Sequence, residues 1–194
     1  MKDFVSKLNN GEVIVIPTET VFGLAASAGN DEAIERIYQM KGRSENKPLQ
    51  VMVSGMDMAK EYAIFDDNAN NIADKYWPGS LTMILRNREG SNLSNLLDYN
   101  GTIGLRVPDN KRVIDLIDSF GMPLAVTSAN LSNEPPILNI RDIKKIFGNE
   151  MPIYADKNEN FSGVASTIID LADDNIKILR EGRINGNDLL KVCK

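Results

Sequence analysis

Lys41, Arg43 and Lys47 lie within seven residues of one another, with Gly42 between the first two and Pro48 after the last. Cations just past the end of a helix complement the negative pole of its dipole, and a lone lysine would need no other explanation. Three on a short loop suit a triphosphate better. Arg106 poses a second question, because it stands between apolar neighbours in Gly104-Leu105-Arg106-Val107-Pro108. Arginine is rarely buried without a partner. It pairs with an internal carboxylate, or it takes one from a ligand, whose two oxygens its planar fork matches. Two stretches of small hydroxyls complete the set. Pro17-Thr18-Glu19-Thr20 breaks off a β-branched run, since Pro17 has no amide for a ladder. Thr18 and Thr20 then either satisfy a local turn or offer hydroxyls at the mouth of a sheet. Thr127-Ser128-Ala129-Asn130-Leu131-Ser132 is either a cap or Asx turn, or a segment whose amides a ligand can approach closely. In this order along the chain, the motifs fit separate loops that converge on one phosphorylated or carboxylated small molecule.

Composition narrows the chemistry further. The 194 residues include no histidine and one cysteine, Cys193. Ser-His-Asp and Cys-His catalysis, His-ligated zinc and the usual general base therefore drop out. Ser128 has no visible base to make it a nucleophile, and a single thiol forms no internal disulfide. Neither G-x-x-x-x-G-K-[ST] nor G-x-G-x-x-G after a strand occurs, so the two commonest phosphate cradles are not indicated. Carboxylates, hydroxyls, lysine, arginine, backbone amides and a hard metal ion remain. A net charge of −5 and a pI of about 4.9 run against a protein that coats nucleic acid, while leaving room for a local basic patch. The start lacks the apolar run of a signal peptide and no stretch has the length of a membrane span, which points to the cytoplasm.

The elements that must position these residues alternate. Residues 2–10, 31–41, 56–63, 67–77, 111–120, 139–147 and 187–192 carry helical patterns, with Asn30 and Asn110 as caps. Residues 12–16, 49–53, 81–85, 102–107, 123–127, 152–155, 165–171 and 176–179 read as strands. This predicts one α/β domain over residues 1–194, a twisted, open, mixed sheet flanked by helices. Residues 87–101 are polar and hold two glycines, the best candidate for a mobile connection. Trp77-Pro78-Gly79-Ser80 reads as a rigid turn with Trp77 in the core.

As an ordered set the motifs resemble those of the YrdC/TsaC family, the threonylcarbamoyl-AMP synthases. The resemblance runs from Gly11 to Arg183. Its pieces are Ile16 through Leu24, Lys41-Gly42-Arg43, Trp77 through Thr82, Gly104 through Pro108, Thr127 through Ser132, Ser166 through Asp170, and Arg180-Glu181-Gly182. It implies the YrdC-like fold with a deep concave active site, in the short single-domain form. It also implies a nucleotidyltransferase reaction in which L-threonine, bicarbonate (or CO2) and ATP, with Mg²⁺, give threonylcarbamoyl-AMP and pyrophosphate. A tRNA-modifying threonylcarbamoyl transferase complex would then use that product, with a weak tRNA contact and no membrane.

Carried over by residue, the resemblance puts threonine at Thr20, Arg106 and the Val126 backbone. Arg43 and Lys47 meet the phosphates with Lys41 beside them, as the catalytic cations. Thr102, Ser128, Asn130 and Arg180 complete the nucleotide site. Two positions depart from the family: Met52 stands where many members have a histidine, and Pro136 where many have a serine. The alternatives are a YrdC-like RNA-binding protein without adenylation activity, and a paralogue acting on another carbamoyl compound, as in hydrogenase maturation proteins.

Overall fold

Ile14, Val15 and Ile16 are all buried, the signature of a strand covered on both faces. They form β1 (Ile14–Ile16) in the computed structural model, which describes residues 1–45, 47–156, 159–173 and 175–193. The other strands are β2 (Gly23–Ser27), β3 (Gln50–Met52), β4 (Leu81–Arg86), β5 (Thr102–Arg106), β6 (Leu124–Ser128), β7 (Thr167–Asp170) and β8 (Lys177–Arg180). They make one eight-stranded sheet in the order β1-β2-β6-β3-β5-β4-β7-β8. The pairs β3–β5 and β4–β7 are parallel and the others antiparallel, so the sheet is mixed as expected.

Among the described residues the helices are α1 (Lys2–Asn9), α2 (Asp31–Lys41), α3 (Met56–Tyr62), α4 (Asp67–Tyr76), α5 (Lys111–Phe120), α6 (Ile140–Phe147) and α7 (Gly186–Leu190). Asn30, Asp66, Asn110 and Asn139 each accept an amide of the first turn they cap, filling an otherwise orphaned donor. The core lies on both sides of the sheet. Leu8 of α1 and Val113, Leu116 and Ile117 of α5 pack on Ile14, Ile16, Ala25, Leu124 and Val126. The other helices contribute to the cluster on the opposite face. The cover given by α1 and α5 is therefore concentrated over β1, β2 and β6, and the side chains that β3, β5, β4, β7 and β8 present on that face border a hollow.

Two elements differ from expectation. Gly23-Leu24-Ala25-Ala26-Ser27 has no β-branched residue, yet it is a fully buried strand wedged between β1 and β6. Its neighbours, not its propensity, decide it. Residues 152–155 are not a strand: Val15 takes the Pro152 carbonyl and gives its own to the Tyr154 amide, both at 2.8 Å, around the isolated bridge Val15–Ile153. Pro152 has no amide to extend that ladder, and β1 is only three residues long. The 87–101 connection is also pinned. Leu97 in its 3₁₀ turn is buried, and the Ser94 amide donates to Ala28 at 2.9 Å.

Candidate active site

The strand register builds the site. Met52 of β3 stands opposite Arg106 of β5, and Thr82 of β4 opposite Ile168 of β7, which faces Arg180 of β8. Met83 opposes Leu105, so by alternation Thr82 and Arg106 turn to the other face together. Met52, Arg106, Thr82, Ile168 and Arg180 thus form a row across the sheet, and all line one cavity. The loop after β1 adds Thr18 and Thr20, the end of β6 adds Val126 and Ser128, and the turn after α2 adds Arg43. That turn needs Gly42, which ends α2 at φ 57°, a left-handed backbone that favours glycine.

Arg106 answers the question posed by its sequence. It is 2% exposed, and it pairs internally while still lining the cavity. Its Nη2 donates to Glu19 Oε1 at 2.5 Å and to Thr20 Oγ1 at 3.3 Å, and its Nε to the Gly79 carbonyl at 3.1 Å. Among the described residues Nη1 has no hydrogen-bond partner. Ser80 Oγ donates to the same Glu19 oxygen at 2.9 Å. One edge of the guanidinium is therefore clamped and the other is left for a guest. Thr18 fixes the Thr20 hydroxyl, 2.7 Å away.

Arg43 is held by the loop carbonyls of Lys47 (2.9 Å) and Pro48 (3.3 Å). Arg180 grips Ser166, Nε to its carbonyl at 3.0 Å and Nη2 to its hydroxyl at 3.0 Å. Burial, and then the guanidiniums of Arg106 and Arg43, push Arg180 below the ordinary arginine value. Burial does the same to Arg106, opposed by Glu19, and to Arg43. None of the described residues lining the cavity is an aspartate or glutamate. Glu19 balances Arg106 from behind the lining, whereas among the described residues Arg43 and Arg180 have no carboxylate partner, and an anion in the cavity would offset their charge.

Other residues fall elsewhere. Lys41 is buried away from the cavity, its ammonium bonded to Ser128 and Asn130, and Asn130 sits behind the wall that Ser128 forms. Lys47 is exposed beside Pro48, which lines the cavity mouth. Thr102 is on the same face of β5 as Arg106 but roughly 13 Å along the strand. Its hydroxyl donates to Tyr99 at 2.7 Å, and it is not part of the cavity lining. Met52 and Pro136, the two departures, both line the cavity. Sequence reasoning gave no role to Gln50, Thr82, Ser166 or Glu19. The first three are joined by hydrogen bonds, Thr82 to Gln50 at 2.9 Å and to Ser166 at 3.1 Å. For Thr82 the signal was its place between the apolar Leu81 and Met83, which turns a lone hydroxyl to the opposite face of that strand. Glu19 had none, because its partner is distant in sequence.

No carboxylate lines the cavity, and no cluster of three metal-ligating side chains occurs among the described residues. The donor set does not fit a resident metal ion.

Fold and site together define an open-sheet α/β protein with an arginine-lined cavity. The chain belongs to the Sua5/YciO/YrdC family, whose profile, described as "Telomere recombination", matches residues 6–182. A Methanocaldococcus jannaschii protein, provisionally named a threonylcarbamoyl-AMP synthase, is 34% identical over 94% of this chain and 86% of its own length. The threonylcarbamoyl-AMP synthase of Bacillus subtilis is 32% identical over 91% of this chain, which spans only 51% of that protein. Among solved structures, Pyrococcus abyssi Sua5 in complex with L-threonine superposes with a TM-score of 0.91 at 28% identity, over 99% of this chain and 56% of that one. Escherichia coli YciO superposes at 0.84 with 26% identity, over 94% of this chain and 89% of that one.

Proposed function

We propose that this chain is a threonylcarbamoyl-AMP synthase, joining L-threonine, bicarbonate or CO2, and ATP with loss of pyrophosphate. The observation that carries the reading is the meeting of Arg43, Arg106 and Arg180 with the hydroxyls of Thr20 and Ser128 around one cavity without a lining carboxylate. Relatives of that name and the threonine-bound Sua5 structure support it.

Threonine's carboxylate goes to the open edge of Arg106, with Thr20 beside it. The neutral amine adds CO2 and loses a proton to solvent, forming a carbamate whose oxygen attacks the α-phosphorus of ATP. The bond to the bridging oxygen breaks and pyrophosphate leaves toward Arg43 and Lys47. Arg180 stands at the nucleotide end with Ser128. Neither histidine nor covalent nucleophile is required: the barrier is the assembly of anions, which positioning and fixed positive charge lower. Magnesium enters as MgATP, carried on phosphate oxygens. The product is a mixed anhydride for a tRNA-modifying transferase, and the reaction belongs in the cytoplasm. Among the described residues no helix is long and apolar enough to cross a membrane.

The test is pyrophosphate release with ATP, bicarbonate and each amino acid in turn. Release with threonine alone, or with threonine well above serine, is expected. A salt-sensitive RNA complex without release would favour the RNA-binding alternative. Arg43→Ala should lower kcat about 10²–10³-fold, as loss of a preorganised charge donor does. Its melting temperature should hold, because its bonds are confined to its own loop.

A further inference from the structure

Lys41 belongs to the motif that also supplies Arg43, yet the two side chains part company at Gly42. We infer that Lys41 is a positioning residue, which fastens the 128–132 segment to the end of α2 and so fixes the wall of the cavity that carries Ser128. Only the kinetic part of this inference rests on the synthase reading.

The geometry is that of a clamp with two jaws. From the side chain, Nζ donates to the Ser128 carbonyl, to the Asn130 carbonyl at 2.6 Å and to Asn130 Oδ1 at 3.3 Å. From the backbone, the Lys41 carbonyl accepts the Ser132 amide at 2.9 Å. An ammonium has three N–H donors and no acceptor, and here three oxygens take them. Lys41 is 2% exposed, and among the described residues no carboxylate pairs with it. Burying a cation on neutral oxygens alone is expensive, and a point charge with three convergent bonds fixes a loop in a way that an apolar side chain does not.

Asn130 passes the constraint on. Its Nδ2 donates to the Leu131 carbonyl at 2.8 Å and to the Glu134 carbonyl at 2.7 Å, which closes the turn that leads to Pro136. The Ile137 amide returns to the Ala129 carbonyl at 3.3 Å. Ser128 before the turn and Pro136 after it both line the cavity, while Lys41 and Asn130 do not. Lys41 therefore acts on a guest through the wall, where Arg43 acts on it directly.

Hydrogen exchange on the whole chain tests this. Lys41→Met should lower the protection of the Ser132 and Ile137 amides by about tenfold or more, while amides of β4 and β5 keep theirs. Asn130→Ala removes the relay and one acceptor and should do the same. Lys41→Arg keeps the charge but not the compact three-donor head. A phosphate ligand would tolerate that change; a clamp would not, so turnover should fall in Lys41→Arg as far as in Lys41→Met. If Lys41→Met does not fold, Asn130→Ala decides alone. Wild-type protection at Ser132 and Ile137 in either folded variant overturns the inference, as does a Lys41→Arg enzyme with normal turnover. Should the wild-type chain release no pyrophosphate at all, the synthase reading fails and the exchange result still judges Lys41.

Discussion

At the scale of single residues, the site is a set of cations that differ in what holds them. Arg106 is buried against Glu19, whose second oxygen, Oε2, is buried without a partner among the described residues. Removing the guanidinium leaves the largely buried Glu19 carboxylate with Ser80 as its one remaining partner among the described residues. Arg106→Ala should therefore destabilise the fold by about 3–5 kcal/mol. Arg106→Ala with Glu19→Gln should recover much of that loss, since the uncompensated charge goes too. Neither variant should bind threonine. Denaturant midpoints read the first effect and calorimetry with threonine the second; binding retained in the stable double variant would show that Arg106 is no carboxylate clamp.

Lys41 is pushed down to about 8, by burial first and by the Arg43 guanidinium second. The unfolded chain keeps this proton to about 10.4. Between those values the unfolded state holds more protons, so the group's contribution to stability rises with pH. Activity should move the other way: a neutral amine has two N–H donors for three oxygens, and the Ser128 wall loosens. A fall in kcat/KM through about pH 8, without a parallel fall in melting temperature from this group, is expected. An alkaline limb that survives unchanged in Lys41→Met would assign it to another residue.

At the scale of elements, the sheet and the site share a constraint at Gly23. It pairs with Ser128, and a Cβ there would lie 2.8 Å from Val126 Cγ1 and 3.3 Å from the Thr127 carbonyl. Gly23→Ala should cost about 1–3 kcal/mol through overpacking. It should also weaken substrate binding, because the strain falls on Val126 and Thr127, two of the β6 residues that line the cavity. Unchanged stability with unchanged KM would mean that β6 shifts freely. The same strand shows where sequence reading stops. Strands rich in β-branched residues, such as β1, and asparagine-capped helices, such as α2 and α5, carry their own signals. So do Arg43, Arg106, Ser128 and Arg180, which are small or cationic residues at strand ends or after a helix. By contrast β2 is a strand only because β1 and β6 flank it. Lys41 and Arg43 are alike in one dimension, and only the left-handed turn at Gly42 sends them to different places. Thr102 shares its face with Arg106, and strand length alone separates them.

At the scale of the whole molecule, charge and cavity pull in opposite directions. The chain carries a net charge of −5, which repels small anions from most of its surface. Arg43, Arg106 and Arg180 surround the one described cavity where they meet, and they repel one another across it. A polyanion seated there loses the general repulsion and relieves the local one. Inorganic pyrophosphate, the proposed leaving group, should therefore raise the melting temperature in a saturable way, following mass action; at about 100 times its dissociation constant the gain is about 2.7 kcal/mol. The gain should shrink with added salt, since the pairing at the rim is screened within about 10 Å at 0.1 M. Monovalent chloride at matched ionic strength should not reproduce it, because no single charge reaches all three guanidiniums. The effect should vanish in Arg43→Ala with the fold intact. A stabilisation that persists in that variant would place the pyrophosphate elsewhere on the surface, and would separate the cavity from the reaction assigned to it.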